Sequence, residues 1–182
     1  MNNLSVEEPF KTDVIRADRL PPDLLLSIHD LCNRAYEEDL EFLFNTYTQA
    51  THVLGFLGGT LVSHAMWVTR WLQPGNDPCL HTAYVEMVAT EPRFQGRGFA
   101  SAVMQTLARA IIDFELGALC PAAPDLYARL GWVYWRGPLF IRTPEGLTPT
   151  LEERIMILKL PKTPALDLDS PLSAEWREGE VW

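Results

Sequence analysis

The segment from His81 to Ile111 constrains this chain more than any other. It reads HTAYVEMVAT, then EPRFQGRG, then FASAVMQTLARAI. The first block is rich in β-branched and aromatic residues, which predicts a strand. In the last block Ala100, Val103, Met104, Leu107 and Ile111 recur at three- and four-residue steps, the spacing of one helix face. Between them lies a tight turn with Gly96 and Gly98 beside Arg93 and Arg97. The first amides of a helix have no partners within the helix, and the dipole there is positive. Two glycines let that backbone approach a bound group with no Cβ in the way. The segment therefore predicts an anion site, with phosphate as the best match. A dinucleotide fold is excluded on three counts. The third glycine is missing, the turn lies mid-chain, and no acidic residue closes the next strand at the right distance. No G-K-[ST] follows the glycines, which excludes a nucleotide-hydrolysing P-loop.

The flanking chain reads as mixed α/β. Thr12–Leu20 predicts a strand. Pro21–Tyr36 predicts a helix with prolines at its start and Leu24, Leu25, Ile28, Leu31 and Cys32 as the buried stripe. Residues 37–50 read as a second, acidic helical stretch. Residues 51–72 read as a hairpin turning at Gly58-Gly59, and 73–79 as a loop. LGALCPAA (116–123) is a short strand, and PDLYARLGW (124–132) a short helix stopped by Gly131. VYWRGPLFIRT and ERIMILKL are two more strands. The proline-bearing tail, 161–182, reads as an ordered extension or as a helix followed by coil.

Composition narrows the function classes. With 182 residues and 47% hydrophobic content, the chain can bury one sizeable core. The net charge of −9 argues against nucleic-acid binding and suits a cationic substrate or a merely soluble surface. Cys32, Cys79 and Cys120 are odd in number and scattered, so no disulfide framework or zinc pattern follows. His29, His52, His64 and His81 form no metal-binding pair, and no metal is expected. The start is polar and acidic, unlike a signal peptide, and no apolar run spans a membrane. The expected location is the cytoplasm.

The motif Arg93-Phe-Gln95-Gly96-Arg97-Gly98 resembles the acetyl-coenzyme A motif of the GNAT-superfamily N-acetyltransferases. The later LYARLGW, a Tyr four residues before Gly and then an aromatic, resembles that superfamily too. AYVEMVAT, LGAL and the chain end EWREGEVW are similar to the aminoglycoside 2'-N-acetyltransferases within it. The resemblance spans roughly the whole chain and implies one GNAT domain over 1–182. Its fold would be a mixed, mostly antiparallel central sheet flanked by helices, with a central strand pair splayed around acetyl-coenzyme A. Residues 161–182 would form an ordered extension reaching the acceptor site. The resemblance also implies a homodimer. Three departures stand out: Glu180 in place of Asp, Met87 in place of Gly, and Cys120-Pro-Ala-Ala in place of a serine-rich stretch. Met87 predicts a bulkier junction between donor and acceptor.

The resemblance also implies roles. Met87, Val88, Arg93, Gln95, Gly96, Arg97, Gly98, Phe99 and Ala100 would hold the coenzyme. Glu86 would take a proton from the substrate ammonium, through water or directly; the alternative is a solvated strand-face glutamate. A backbone amide of Met87 or Val88 would polarise the acetyl carbonyl. Tyr127 would protonate the leaving thiolate, or else pack as a core tyrosine. Asp39, Glu86, Met87, Cys120, Glu152 or Glu153, Glu180 and Trp182 with its carboxylate would face a polycationic aminoglycoside. For the acidic groups a solvated charge is the competing reading, and for Cys120 a buried, inert thiol. Trp176 and Trp182 predict a tail anchored on the domain. Three functions remain open: acetylation of an aminoglycoside antibiotic; acetylation of another amine, such as a kasugamycin-type aminoglycoside, a polyamine or a peptide; and coenzyme binding without catalysis.

Overall fold

A computed structural model describes residues 9–182. Ten strands form one sheet, β1 (Phe10–Arg16), β2 (Thr51–Leu57), β3 (Thr60–Pro74), β4 (Leu80–Thr90), β5 (Leu116–Leu119), β6 (Val133–Tyr134), β7 (Leu139–Thr143), β8 (Gly146–Pro149), β9 (Met156–Lys159) and β10 (Leu172–Glu175). Among the described residues four α-helices accompany them, α1 (Pro22–Tyr36), α2 (Glu41–Thr46), α3 (Phe99–Ala110) and α4 (Pro124–Arg129). The main strand order is β6-β9-β5-β4-β3-β10-β7-β8, with β1 and β2 added beside the first half of β3. Among the described residues only β4–β5 and β10–β7 pair in parallel; the other pairings are antiparallel. This is the mixed, mostly antiparallel sheet expected. The central splay is present too: β4 and β5 pair only from Thr82↔Leu116 to Tyr84↔Ala118, and β4 then runs on to Thr90 paired with β3 but not with β5.

The two sheet faces carry separate cores. Ile28, Leu31 and Cys32 of α1 pack with Leu54, Met66, Val68, Leu72 and Tyr84 on one face. On the other, Val103, Met104 and Leu107 of α3, followed by Ile111, pack with Val53, Ala65, Ala83 and Val85. Full burial of each such aliphatic side chain stabilises by roughly 1.5–3 kcal/mol, so the periodicity of α3 is also its anchorage. Leu25, expected in the stripe of α1, is exposed. The hairpin turns at Gly58-Gly59, both at positive φ, the backbone that a two-residue loop needs.

Three readings are corrected. The helical stretch over 37–50 shrinks to α2, because Glu37 takes a left-handed conformation (φ 57°) that ends α1, and after Thr46 the chain turns, with Gln49 also left-handed (φ 57°), before entering β2. VYWRGPLFIRT is not one strand: β6 pairs with β9 and β7 with β10, on opposite sides of the sheet. Of the two readings of the tail, the helix followed by coil is replaced, since β10 fills the place between β3 and β7 and buries Leu172, Ser173 and Ala174. It is pinned before that strand by Arg136 on Asp169 (2.7 and 2.6 Å) and by Trp135 Nε1 donating to the Ser170 carbonyl (2.8 Å).

Candidate active site

The predicted strand–turn–helix is β4, a short 3-10 turn at Pro92–Phe94, and α3. Gly96 and Gly98 sit at φ 73° and 85°, and a Cβ on either would project into open space. Positive φ is the reason these positions need glycine. The Gln95 side-chain amide donates to the Thr90 carbonyl (3.3 Å), and Arg34 pairs with Glu91 (2.8 Å), so the turn is held to β4 and to α1. A cavity of about 480 Å³ opens here, lined among others by Val88, Gln95, Gly96, Gly98, Phe99, Ala100 and Tyr127. The unpartnered amides of the first turn of α3 face a space that two Cβ-free residues keep clear. That arrangement fits the phosphates of a coenzyme A. Arg93 and Arg97 do not line the cavity; their guanidinium groups lie over the Phe94 ring, 4.8 and 5.3 Å from its centroid, Arg97 also over Phe99. Arg129, at the end of α4, lines it instead.

Tyr127 is 4% exposed, with its ring edge-on to Trp132. Burial, and then the neighbouring Cys120, push its hydroxyl up to about 12. The hydroxyl therefore keeps its proton throughout the working range. Tyr127 packs in the core and lines the cavity at once, so the two readings of it are not exclusive.

A second cavity of about 480 Å³ adjoins the first and shares Ala122 with it. Glu86, Cys120, Glu153, Glu180 and Trp182 line it, together with Tyr36, Ile141 and Thr150. The tail thus forms one wall, because β10 delivers residues 176–182 to the splayed end of β4. Asp39 and Glu152 do not line it. Asp39 accepts a hydrogen bond from the Glu41 amide (3.1 Å) at the start of α2, and Glu152 is exposed. Cys120 is not the buried thiol expected; it lies just past the end of β5 and is exposed, its sulfur 3.9 Å from Glu153.

Glu86 is the most constrained carboxylate of this group. Its side chain is 13% exposed and accepts from Arg70 Nη2 at 2.7 Å. Burial pushes the carboxyl up to about 7; Arg70 opposes the rise, Glu180 adds to it, and Arg177 again opposes it. Desolvation outweighs the ion pair, as is common for charges taken out of water. The Tyr47 hydroxyl, buried and without a partner at hydrogen-bond distance, stands near enough to the same carboxylate to oppose the rise weakly. Arg70 is itself 3% exposed, stacks over Tyr84 at 4.0 Å, and donates to the Glu180 carbonyl (3.3 Å) and the Val181 carbonyl. It ties the tail to Glu86.

Arg70 was missed in the sequence although a signal was there. It shares the alternation of Val68 and Leu72 in β3, the inward phase of an apolar strand. Tyr36, which closes α1 and donates to the Val88 carbonyl (3.3 Å), carried no such signal.

The strand itself changes phase at this site. In the β3–β4 ladder His64 pairs with Ala89 and Met66 with Glu86, so Met87 and Val88 together stand opposite Ala65 alone. This is a β-bulge, and Met87 sits in it at φ 52°. The extra residue puts Glu86 and Met87 on the same face. Met87 is 5% exposed in the α1-side core and lines neither cavity, so it does not crowd the donor–acceptor junction as its size predicts. Val88 turns toward the first cavity.

Comparison with known proteins agrees with this geometry. The family model described as an acetyltransferase (GNAT) domain matches residues 23–135. An aminoglycoside 2'-N-acetyltransferase of Mycolicibacterium fortuitum is 34% identical over 131 residues, 68% of this chain and 67% of that protein. Among solved structures, the GNAT N-acetyltransferase YhbS of Escherichia coli in complex with CoA superposes with TM-score 0.63 at 14% identity, over 98% of this chain and 94% of its own. A probable N-acyltransferase of Enterococcus faecalis V583 gives TM-score 0.58 at 16% identity over 71% of this chain; the match spans 33% of that longer protein. With a family model matched over more than half its length and a curated relative over two thirds of both proteins, the chain belongs to the GNAT acetyltransferases.

Proposed function

We propose that this protein acetylates an amino group of an aminoglycoside, the 2'-amino group as in its curated relative, and so confers resistance to it. The observation that carries the reading is the second cavity. Three carboxylates, Glu86, Glu153 and Glu180, converge there beside the glycine turn that fits coenzyme A. Clustered negative charge suits a substrate with several ammonium groups.

Acetyl-coenzyme A, when bound, supplies an acetyl group activated as a thioester. Gly96, Gly98 and the first amides of α3 hold its phosphates. Glu86 Oε takes the proton from the substrate ammonium; a carboxyl that titrates at about 7 is well matched to that work near neutral pH. The amide of Val88, the residue of the bulge that lines the donor cavity, donates to the carbonyl oxygen where charge develops. The Tyr127 hydroxyl gives its proton to the departing sulfur. Glu153 and Glu180 bind the remaining ammonium groups.

Thiol release from acetyl-coenzyme A, measured with gentamicin, tobramycin, kasugamycin, spermidine and a peptide, tests the reading. Turnover on gentamicin or tobramycin, with acetylation at the 2'-amine by mass spectrometry and NMR, is the expected result. Kasugamycin lacks the usual deoxystreptamine ring, and preference for it would move the reading to that class. Turnover on spermidine or the peptide alone refutes it, and coenzyme binding without turnover on any amine makes the domain non-catalytic.

A further inference from the structure

His64 has no part in the chemistry described so far, yet it is fully buried directly beneath it. Its Nδ1 lies 2.7 Å from the Met87 carbonyl oxygen, and its Nε2 lies 2.9 Å from Nδ1 of His52. We propose that His64 is a positioning residue for acetyl transfer: it orients and polarises the Met87–Val88 peptide, whose nitrogen belongs to the residue that lines the donor cavity.

The bulge creates the need. Met87 and Val88 share one partner, Ala65, and the Met87 carbonyl has no place in the regular ladder. A buried carbonyl left without a donor is costly. Met87 also holds a left-handed backbone (φ 52°) that residues other than glycine seldom adopt, so something must hold it there. His64 meets that oxygen from β3.

Chemistry fixes the direction of the bonds. A carbonyl oxygen only accepts, so His64 Nδ1 carries the hydrogen. Burial keeps the ring neutral, with its pKa lowered to about 3, so Nε2 is bare and must accept. His52, lowered to about 4 by burial, is neutral too, and its Nδ1 donates. Cys32 Sγ lies 3.6 Å from the same His64 Nδ1; with that nitrogen protonated, the sulfur serves only as a second, weaker acceptor. The relay therefore runs one way, from His52 to His64 to the Met87 oxygen. Neither ring can swap its proton without breaking a bond.

The consequence lies in a single plane. The Met87 carbonyl and the Val88 N–H belong to the same trans peptide, so they point in opposite directions. Holding the oxygen toward His64 aims the hydrogen away from it, on the residue that lines the donor cavity. A hydrogen bond accepted at the oxygen also strengthens the donor at the nitrogen. Tyr36 holds the next carbonyl, Val88, from α1 at 3.3 Å. The amide enters the reaction already oriented.

This inference rests on the acetyl-transfer reading above, and its test separates the two. In ¹⁵N NMR of the wild type, His64 is expected as the neutral Nδ1–H tautomer, with the Val88 amide resonance shifting when acetyl-coenzyme A is added. His64→Leu removes the donor. It should lower kcat tenfold or more, leave coenzyme A affinity by calorimetry within about twofold, and weaken the Val88 shift. His64→Asn places an amide nitrogen near the Nδ1 position and should recover most of the lost kcat. An Nε2–H tautomer in the wild type overturns the proposal, as do equal losses in both variants or unchanged kcat in His64→Leu. Should His64→Leu fail to fold, the wild-type tautomer and His64→Asn still decide. A wild type that turns over no amine overturns the functional reading instead, and shows itself before any variant is made.

Discussion

Glu86→Gln should stabilise the protein while abolishing its activity. The unfolded carboxyl titrates near its ordinary value of 4.5, and the folded one at about 7. The folded state therefore binds the extra proton between those values, and stability is lost as pH rises through that window. At about 1.4 kcal/mol per pH unit, the ionised carboxylate costs up to about 3 kcal/mol above pH 7. Glutamine mimics the protonated form: it keeps an oxygen for Arg70 at nearly the same volume and carries no charge into the buried site. Urea unfolding of both proteins should coincide near pH 4 and diverge by 1–3 kcal/mol at pH 8, the variant being the more stable. At ~2–4 °C per kcal/mol for a chain of this size, melting temperatures should separate by several degrees. Activity runs the other way. Wild-type kcat/KM should rise through a midpoint near 7 as the base ionises, and the variant should lose both that limb and most of its turnover. A variant no more stable than wild type at pH 8, or a wild-type profile flat between pH 5 and 9, refutes the reasoning. It would mean that Arg70 wins over desolvation and that Glu86 is an ordinary ion-pair carboxylate.

Gly98→Val should weaken coenzyme A binding at least tenfold by calorimetry, because Gly98 has φ 85° and its missing Cβ leaves the cradle open. Tyr127→Phe should lower kcat about 10²-fold with KM little changed, and unchanged turnover with chemistry rate-limiting would leave Tyr127 a packing residue. Glu180→Gln should raise the aminoglycoside KM about tenfold with coenzyme affinity intact, a gap that narrows as salt is added. Gly137→Ala should destabilise by several kcal/mol in urea unfolding, since its Cβ would fall 1.8 Å from the Ser170 carbonyl oxygen and push the tail off its pins.

Local pattern alone determined the core of this protein. The residues of β4 announced themselves by their β-branched and aromatic types, those of α3 by period, and Gly96 and Gly98 by a backbone need that only glycine meets cheaply. Those signals lie within a few residues of one another, so no distant contact could override them. The same holds for Pro22 at the start of α1 and for the Gly58-Gly59 turn. The second cavity is different. Glu86, Glu153 and Glu180 are far apart in the chain, and nothing in their spacing says that they meet while Asp39 and Glu152 stay out. Their meeting depends on where β10 goes, and a four-residue strand among prolines carries almost no periodic signal. Only the empty edge between β3 and β7 selects it. The bulge at Met87 was equally invisible, because alternation read through Glu86 and Val88 assumes an unbroken pleat. One inserted residue flips every side chain beyond it to the other face. That is why the large Met87 side chain ends in the core on the same face as Glu86, and why a buried histidine, unremarkable in the sequence, lies against the carbonyl of the bulged residue.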